Sequence, residues 1–554
     1  MNQDAKIRAD EYRESGGVVD ERRADAADAA DAADAADADT IAPYSVLPTD
    51  EERETLINDA LDELADIARE NILEFNREDF NTEEVVGTWI DSYLCDYFAD
   101  ITPARSDFST ATAAEADALN DVLDAYIRGL YNDIAERFYE EIAPFRASHG
   151  FVGSASTAST DDMTQKIQTL REKPQPDQRT PEWYARRNNL ITASAASKAF
   201  GSQASINQLV YEKCKNYSAA ARVGVGTEHA SSPLQGSVNS PLHWGQRYEP
   251  VTVMVYEYRN KTRLGEFGCI QHNDYPFIGA SPDGINVDPT SPIYGRMVEI
   301  KNIVNREITG KPKEEYWIQT QIQMEVCDLD ECDFVETRFK EYDSEAEYLA
   351  DTGATEDEKG IILWFQTAPA LTQYGYVSPP IQLYEYAPIG VTTGDEEYVD
   401  WEAAVFAKHQ KSGNIWVRTI YWYLDEYSCV LVRRNRLWFS EAVKVLQRVW
   451  TMIEEERQTG YEHRAPMKRK PATTAAVGTE FVKIVKLDTA IIDADTQDAT
   501  APGTATATAT ATATNMAIMM SASFNHTKSS KKPSDVLISC FKIDDLEIDE
   551  NKVG

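Results

Sequence analysis

The sequence predicts a mixed α/β fold, because helix-like and strand-like patterns follow one another between residues 179 and 459 of the 554-residue chain. Runs rich in β-branched and aromatic residues predict strands, and they include residues 277–287, 297–303 and 415–432. Apolar residues at helical spacing predict a long helix at 438–455. We therefore expect one α/β block in this part of the chain.

The regions outside this block differ from it in composition. Residues 1–45 contain a repeated Asp-Ala-Ala tract and predict a disordered acidic tail. Apolar residues at helical spacing predict an acidic helical domain at 46–148. A Ser/Thr/Gly-rich stretch at 149–178 predicts a linker to the α/β block at 179–459, and residues 460–554 predict a mostly disordered tail.

The charge of the chain is unevenly distributed. The formal net charge is −39, and residues 1–150 contribute about −26 of it. Residues 179–260 instead carry more basic than acidic side chains, and a local basic strip is what contact with phosphates requires. The acidic helical domain presents either a solvated surface or a docking surface for a basic partner, or it mimics DNA.

Cysteine usage and hydropathy predict a soluble intracellular protein. The seven cysteines are scattered and odd in number, which argues against a disulfide framework and favours a reducing compartment. The closest pair, Cys327 and Cys332, is spaced too widely for a CxxC metal motif. The first ten residues are polar and do not resemble a signal peptide. No apolar run approaches the ~20 residues that a membrane helix needs, so we expect no membrane partner.

The most informative pattern lies at residues 281–301. Asp283 stands in the tetrapeptide Ser-Pro-Asp-Gly, and Glu299 and Lys301 lie two residues apart in a strand-like run. Because alternate strand residues share a face, Glu299 and Lys301 project together. If Asp283 ends a neighbouring strand, two carboxylates and an ammonium meet at one point. Such oxygen ligands hold Mg²⁺ or Mn²⁺ and suit metal-assisted hydrolysis of a phosphodiester.

Each part of this pattern also has a structural interpretation. Ser-Pro-Asp-Gly alone is an ordinary turn signal, and the run around Glu299 and Lys301 could be a solvated edge strand. On the following predicted helix, Tyr316, Gln319 and Gln323 share one face. That face is either solvated or directed at a metal site.

Residues upstream of this pattern have similar alternatives. Thr192 or Ser194 can cap a helix, but a helix start with hydroxyl groups and Arg187 nearby also suits phosphate binding. Trp183 is either a core residue or a base-stacking residue. Glu249 alone reads as an ordinary surface acid.

These motifs together resemble a known family. Residues 179 to about 342 resemble the YqaJ-type viral recombinases, the phage lambda-type alkaline exonucleases of the PD-(D/E)xK nuclease superfamily. The matching residues, in order, are Trp183, Arg187, Ile191-Thr192-Ala193-Ser194, Trp244-Gly245, Tyr248-Glu249, Ser281-Pro282-Asp283-Gly284, Glu299, Lys301, Tyr316, Gln319 and Gln321. The resemblance implies a restriction-endonuclease-like core, in which helices flank a mixed β-sheet and the site lies at the end of that sheet.

The resemblance also implies how the chemistry is shared. Asp283 and Glu299, with the backbone carbonyl of Ile300, would bind two Mg²⁺ or Mn²⁺ ions, and Glu249 would assist as a further ligand. Lys301 would orient or deprotonate the attacking water. Gln319 would lie beside the metal site and act as a catalytic residue.

Substrate contacts follow from the same resemblance. Arg187 and Ser194 would hold a terminal 5′ phosphate, and Trp183, Tyr316 and Gln321 are candidates for DNA contact. The chain departs from the family in two ways: the gap between the two metal-binding acids is longer, which suggests an extended hairpin, and Asn302 follows Lys301 where Cys-Pro is common.

The function implied is a Mg²⁺-dependent deoxyribonuclease, a 5′→3′ exonuclease on duplex DNA ends that serves viral or phage recombination or replication. The alternatives are an endonuclease or structure-specific nuclease on the same fold, and a catalytically silent DNA-binding scaffold. Expected partners are DNA ends, a homo-oligomer (a trimer in the family), and a single-strand annealing or replication protein bound by the acidic helical domain. The expected compartment is the host nucleus or a cytoplasmic virus factory.

Overall fold

The protein is described by a computed structural model. The described residues are 47–101, 113–147, 159–176, 180–222, 240–369 and 380–466, and all of them belong to one compact unit. The predicted tail at 1–45 and residues 467–554 of the predicted tail at 460–554 lie outside these residues, whereas 460–466 are described.

The described residues form twelve α-helices. These are α1 (Asp50–Asn71), α2 (Thr82–Ile101), α3 (Ala113–Arg137), α4 (Thr160–Glu172), α5 (Pro181–Asn188), α6 (Ala193–Ala196), α7 (Gln203–Arg222), α8 (Pro241–Asn260), α9 (Glu314–Cys327), α10 (Glu345–Ala350), α11 (Glu396–Lys411) and α12 (Arg436–Thr459). A π-helical turn and two 3₁₀ turns lie at Phe138–Ile142, Ser197–Ala199 and Glu462–Arg464.

Ten strands form two sheets within the described part of the chain. The strands are β1 (Ile191–Thr192), β2 (Leu264–Gly265), β3 (Ile270–Gln271), β4 (Ile278–Ala280), β5 (Gly284–Asn286), β6 (Met297–Asn302), β7 (Glu331–Glu341), β8 (Lys359–Gln366), β9 (Gln382–Tyr386) and β10 (Ile415–Arg433). The larger sheet has the order β2-β5-β6-β7-β10-β8-β9, and the smaller one has the order β1-β4-β3. Strand β6 pairs parallel to β7 and antiparallel to β5, so the predicted mixed α/β class is confirmed.

The two faces of β6 have different environments. Val298 and Ile300 are buried with Tyr256 of α8 in one apolar cluster, so α8 covers that face. Glu299 and Lys301 point to the other face, where both contact Gln319 of α9. The alternation predicted for this strand therefore separates a packed face from a polar face.

Helix α9 is fixed over the polar face from both of its sides. It packs against α6 and β4, and Trp317 is almost completely buried with its ring 5.0 Å from that of Trp438. At its C-terminus the chain turns at Asp328, whose left-handed backbone has a φ of 52°. This anchoring holds the polar side chains of α9 over β6.

The acidic helices α1 to α3 pack on one another, and their apolar residues continue into the core around α9 and α12. Polar contacts also link the two regions. Arg146 donates to the carbonyl of Pro312 over 3.2 Å, and Arg433 forms an ion pair with Glu140. The boundary between the helical domain and the α/β block at residue 148 stays a prediction.

The segment predicted as a linker, 149–178, contains helix α4. Ser159 caps this helix by accepting a hydrogen bond from the backbone of Asp162 over 3.1 Å. Met163 and Ile167 are buried, and Met163 lies against Gly295, where a Cβ would be only 2.1 Å from its sulfur. This part of the predicted linker is therefore helical, because its short apolar stripe packs against the rest of the described unit.

Asp91 of α2 offers a test of the helical region. It is 8 % exposed, its Oδ1 has no hydrogen-bond partner among the described residues, and burial raises the pKa of its carboxyl to about 6. A pKa above the unfolded value means that stability is lost as the pH rises through 6. We expect Asp91→Asn to raise the free energy of unfolding at pH 8 by about 1–2 kcal/mol.

The gain in the free energy of unfolding from Asp91→Asn should shrink as the pH falls from 8 to 5. Thermal unfolding at several pH values measures this gain. Asp96→Asn, an exposed position on the same helix, is the control and should change little. An Asp91→Asn gain that is constant with pH would contradict the assignment of the effect to the buried charge.

Candidate active site

Asp283 and Glu299 meet because β5 and β6 are antiparallel neighbours. Gly284 pairs with Val298, which places Asp283 opposite Glu299. The Asp283 Oδ2 atom accepts a hydrogen bond from the backbone nitrogen of Ile300 over 2.7 Å. Asp283 precedes β5 and does not end a strand, so that detail of the expectation was wrong. The long β5–β6 connection is the extended hairpin suggested by the sequence.

Glu299 is held by three donors. Its side chain is 1 % exposed. Oε1 accepts from Gln319 Nε2 over 2.7 Å and from the ammonium of Lys301, and Oε2 accepts from Gln323 Nε2 over 2.6 Å. Since a buried carboxyl group without hydrogen-bond partners is strongly destabilising, these three donors offset the cost of burying the Glu299 side chain.

Lys301 completes the group. Its Nζ lies 3.4 Å from Gln319 Oε1 and 5.0 Å from the centre of the Tyr316 ring. Burial disfavours its charge, but the carboxylates of Glu299 and Asp283 outweigh burial, so the pKa of Lys301 is raised. Tyr316 thus packs beside the lysine and stacks on Phe334, with ring centres 5.8 Å apart.

The surroundings of Asp283 disfavour the charged form of its carboxyl group. Burial and the nearby charge of Glu299 raise its pKa well above the usual value, Glu249 adds to this, and Lys301 opposes it. Glu249 itself is exposed on α8. Glu299 and Glu249 therefore both act electrostatically on the Asp283 carboxyl.

The donor set fits a hard divalent cation. Mg²⁺ is commonly bound by one or two carboxylates, with water and substrate phosphate completing its shell. Asp283 and Glu299 supply two carboxylates, and the backbone of Ile300 lies against Asp283. Within the described ranges, no three His, Cys, Asp or Glu side chains form a ready-made metal group. Metal binding by these residues and by the Ile300 carbonyl therefore stays a prediction.

Arg187 lies in a second cationic group on the α5 side. Its guanidinium stacks over Trp183, 4.5 Å from the ring centre, and burial lowers its pKa while the Cys269 thiol partly opposes this. Lys213 of α7 donates to the Arg187 carbonyl over 2.9 Å, and burial with the charges of Arg187 and Arg457 lowers its pKa to about 7. Among the described residues, Arg187 forms no ion pair with a carboxylate, and its guanidinium is hydrogen-bonded to the Cys269 thiol.

Ser194 is exposed in the short helix α6. Its hydroxyl lies 3.4 Å from that of Thr192, which occupies the N-cap position without making a side-chain capping bond. The capping role weighed for Thr192 is therefore not observed. Trp183 is half-buried under Arg187, so it supports that arginine.

Gln321 does not reach the polar face. It is completely buried, its Nε2 donates to the carbonyl of Arg433 over 2.9 Å, and its Oε1 accepts from the backbone of Asn435 over 2.7 Å. DNA contact by Gln321 is therefore contradicted, because residues two apart on a helix face different directions.

Two groups at the site were not among the predicted site residues. Gln323 was placed on the same helix face as Gln319 but was not assigned to the site, and it contacts Glu299. The Ser281 hydroxyl is buried without a hydrogen-bond partner among the described residues. The helical spacing of Gln323 from Gln319 is enough to predict that it lies at the site. For Ser281 the sequence indicates only that it precedes Asp283 by two residues in the Ser-Pro-Asp-Gly tetrapeptide.

Comparisons with known proteins match the segment of the chain that contains these residues. Residues 182–330 match the family model of the YqaJ-like viral recombinase domain. An uncharacterized protein of Acanthamoeba polyphaga mimivirus is 28 % identical over 326 residues, which cover 53 % of this chain and 55 % of the relative. The matched region thus spans about half of that relative.

Two solved structures are similar over 52 % of this chain and 98 % of theirs. They are the alkaline exonuclease LHK-Exo from Laribacter hongkongensis, at 18 % identity, and LHK-Exo in complex with dAMP, at 19 % identity, each with a TM-score of 0.29.

No described helix has the length and apolar character needed to cross a membrane. The match of residues 182–330 to the YqaJ-like family model confirms the family resemblance seen in the sequence for that segment.

Proposed function

We propose that this protein is a divalent-cation-dependent deoxyribonuclease that degrades duplex DNA from its ends in the 5′→3′ direction. The observation that carries the proposal is the meeting of Asp283, which directly precedes β5, with Glu299 and Lys301 of the neighbouring strand β6. All three lie inside the segment matched by the YqaJ-like domain model. Two carboxylates and a lysine of this kind are the groups that phosphodiester hydrolysis needs.

Asp283, Glu299 and the Ile300 carbonyl would hold the cation, and Glu249 would assist as a further ligand. Mg²⁺ or Mn²⁺ supplies stabilisation of charge on the attacking and leaving oxygens when bound. Lys301 lies where its ammonium can donate a hydrogen bond to a water molecule and so orient it, and Gln319 steadies both Lys301 and Glu299.

Arg187 and Ser194 are proposed to receive the terminal 5′ phosphate. A guanidinium without a carboxylate partner suits a bidentate phosphate contact. Arg457 beside it increases the positive potential of this region, and Lys213, whose pKa is lowered to about 7, adds to it below that pH. This feature favours an enzyme that recognises ends over one that cuts within a duplex.

The setting we propose is recombination or replication of a DNA virus or phage, in the host nucleus or in a cytoplasmic virus factory. The acidic helices α1 to α3 would bind a single-strand annealing or replication partner, and the nuclease domain would extend over 179–459. Assembly into a homo-oligomer is part of the same proposal.

Digestion of linear duplexes labelled at the 5′ or the 3′ end tests this function. We expect Mg²⁺-dependent release of the 5′ label as mononucleotide before the 3′ label, with no release in excess EDTA. Covalently closed circular duplex should survive under the same conditions. Cutting of closed circles would favour the endonuclease, and intact linear DNA with either Mg²⁺ or Mn²⁺ would favour the silent scaffold.

A further inference from the structure

Gln323 occupies a particular place behind the site. It lies on α9, one helical turn after Gln319, and is 0 % exposed. Its single Nε2 group donates to Glu299 Oε2 over 2.6 Å and to the carbonyl of Ser281 over 3.2 Å. One amide therefore links the strand that carries Glu299 to the segment that carries Asp283.

The two oxygens of Glu299 are held in different ways. Oε1 is shared by Gln319 and Lys301, both half-buried and adjacent to the open side of the site. Oε2 faces the fully buried Gln323. Gln323 therefore holds Oε2 from the interior, while Oε1 lies on the side of Gln319 and Lys301.

We propose that Gln323 is a positioning residue that holds Glu299 and the Ser281–Asp283 segment in the arrangement that binds the divalent cation. This inference rests on the proposed function of the site. It assigns no contact with substrate to Gln323, which acts through Glu299. Loss of a group that orients a metal ligand typically costs 10–100-fold in metal affinity or activity.

The same helix provides a matched control. Gln321 is also 0 % exposed and also uses its amide for two hydrogen bonds, but its partners are backbone groups of Arg433 and Asn435, away from the site. Replacing either glutamine with methionine keeps a similar shape and removes a buried amide. A purely structural role predicts similar consequences for both replacements.

The experiment compares wild type, Gln323→Met and Gln321→Met in full-length protein. Mn²⁺ binding is measured by isothermal titration without DNA, and the Mg²⁺ concentration for half-maximal DNA hydrolysis is measured separately. Thermal unfolding without metal reports stability. We expect both variants to unfold at lower temperature, and only Gln323→Met to weaken Mn²⁺ binding and to raise the half-saturating Mg²⁺ concentration, each by about 10–100-fold.

Wild-type cation affinity in Gln323→Met, or an equal loss in both variants, would overturn the inference. If Gln323→Met does not fold, Gln323→Asn takes its place, because its amide is one methylene shorter. Weaker Mn²⁺ binding by this variant would support the inference, and wild-type affinity would overturn it. If the wild-type protein binds Mn²⁺ but does not hydrolyse DNA, the proposed function is contradicted. The comparison of Mn²⁺ affinities would then still test the role of Gln323.

Discussion

Glu299→Gln is expected to abolish DNA hydrolysis while the protein remains folded. Glutamine has almost the same shape as glutamate, but it removes the negative charge that would hold a cation beside Asp283. Loss of metal stabilisation of the developing charge is worth several kcal/mol, which corresponds to a rate loss of about 10³-fold or more. Lys301→Met, which removes the group beside the water, should lose about 10²–10⁴-fold.

Rates of digestion of labelled linear duplex at saturating Mg²⁺ measure this effect, and thermal unfolding checks the fold. Asp333→Asn is the control, because Asp333 is a buried carboxylate on the neighbouring strand β7 that is hydrogen-bonded to Tyr256 over 2.7 Å and paired with Arg296. Its replacement should lower stability with little effect on the rate. A folded Glu299→Gln protein that retains more than a tenth of the wild-type rate would contradict the assigned role.

Arg187→Met is expected to remove the preference for 5′-phosphorylated ends. A hydrogen bond to a charged group contributes about 1.5–3 kcal/mol, so kcat/KM on 5′-phosphorylated duplex should fall about 10–100-fold. The rate on 5′-hydroxyl ends should change far less, because that substrate lacks the anion. Methionine retains an apolar stem that can pack on Trp183.

Arg186→Met is the matched control for this change. Arg186 is the neighbouring residue, but its guanidinium donates to the carbonyl of Pro174 over 2.6 Å, which is a structural contact. Its replacement should reduce both substrates equally, if at all. Equal losses on phosphorylated and hydroxyl ends with Arg187→Met would show that this arginine does not read the terminal phosphate.

The site could be predicted from the sequence where its geometry follows from a local repeat. Strand alternation placed Glu299 and Lys301 on one face, and helical spacing placed Gln319 and Gln323 together, as observed. The DNA contact expected of Gln321 came from the family resemblance alone. Its position two residues from both Gln319 and Gln323 indicates a different helix face, and Gln321 is buried.

Features that depend on distant parts of the chain could not be predicted in the same way. The pairing of Gly284 with Val298, which brings Asp283 to Glu299, required a register that no local pattern specifies. Lys213 meets Arg187 across 26 positions, and a single lysine in a helix gives no indication of such a partner. Helix α4, in contrast, has local signals in the sequence, namely Ser159 as its N-cap and apolar residues at helical spacing. The Ser/Thr/Gly-rich composition of 149–178 predicted a linker there instead.

Direct titration of Mn²⁺ into the wild-type protein and the Asp283→Asn/Glu299→Gln double variant, in the absence of DNA, tests the central claim. The two side chains are claimed to form one cation-binding position. We expect saturable binding by wild type and none by a double variant whose thermal unfolding is cooperative. Equal Mn²⁺ affinity in the two folded proteins would place the cation elsewhere and contradict the assignment of this site.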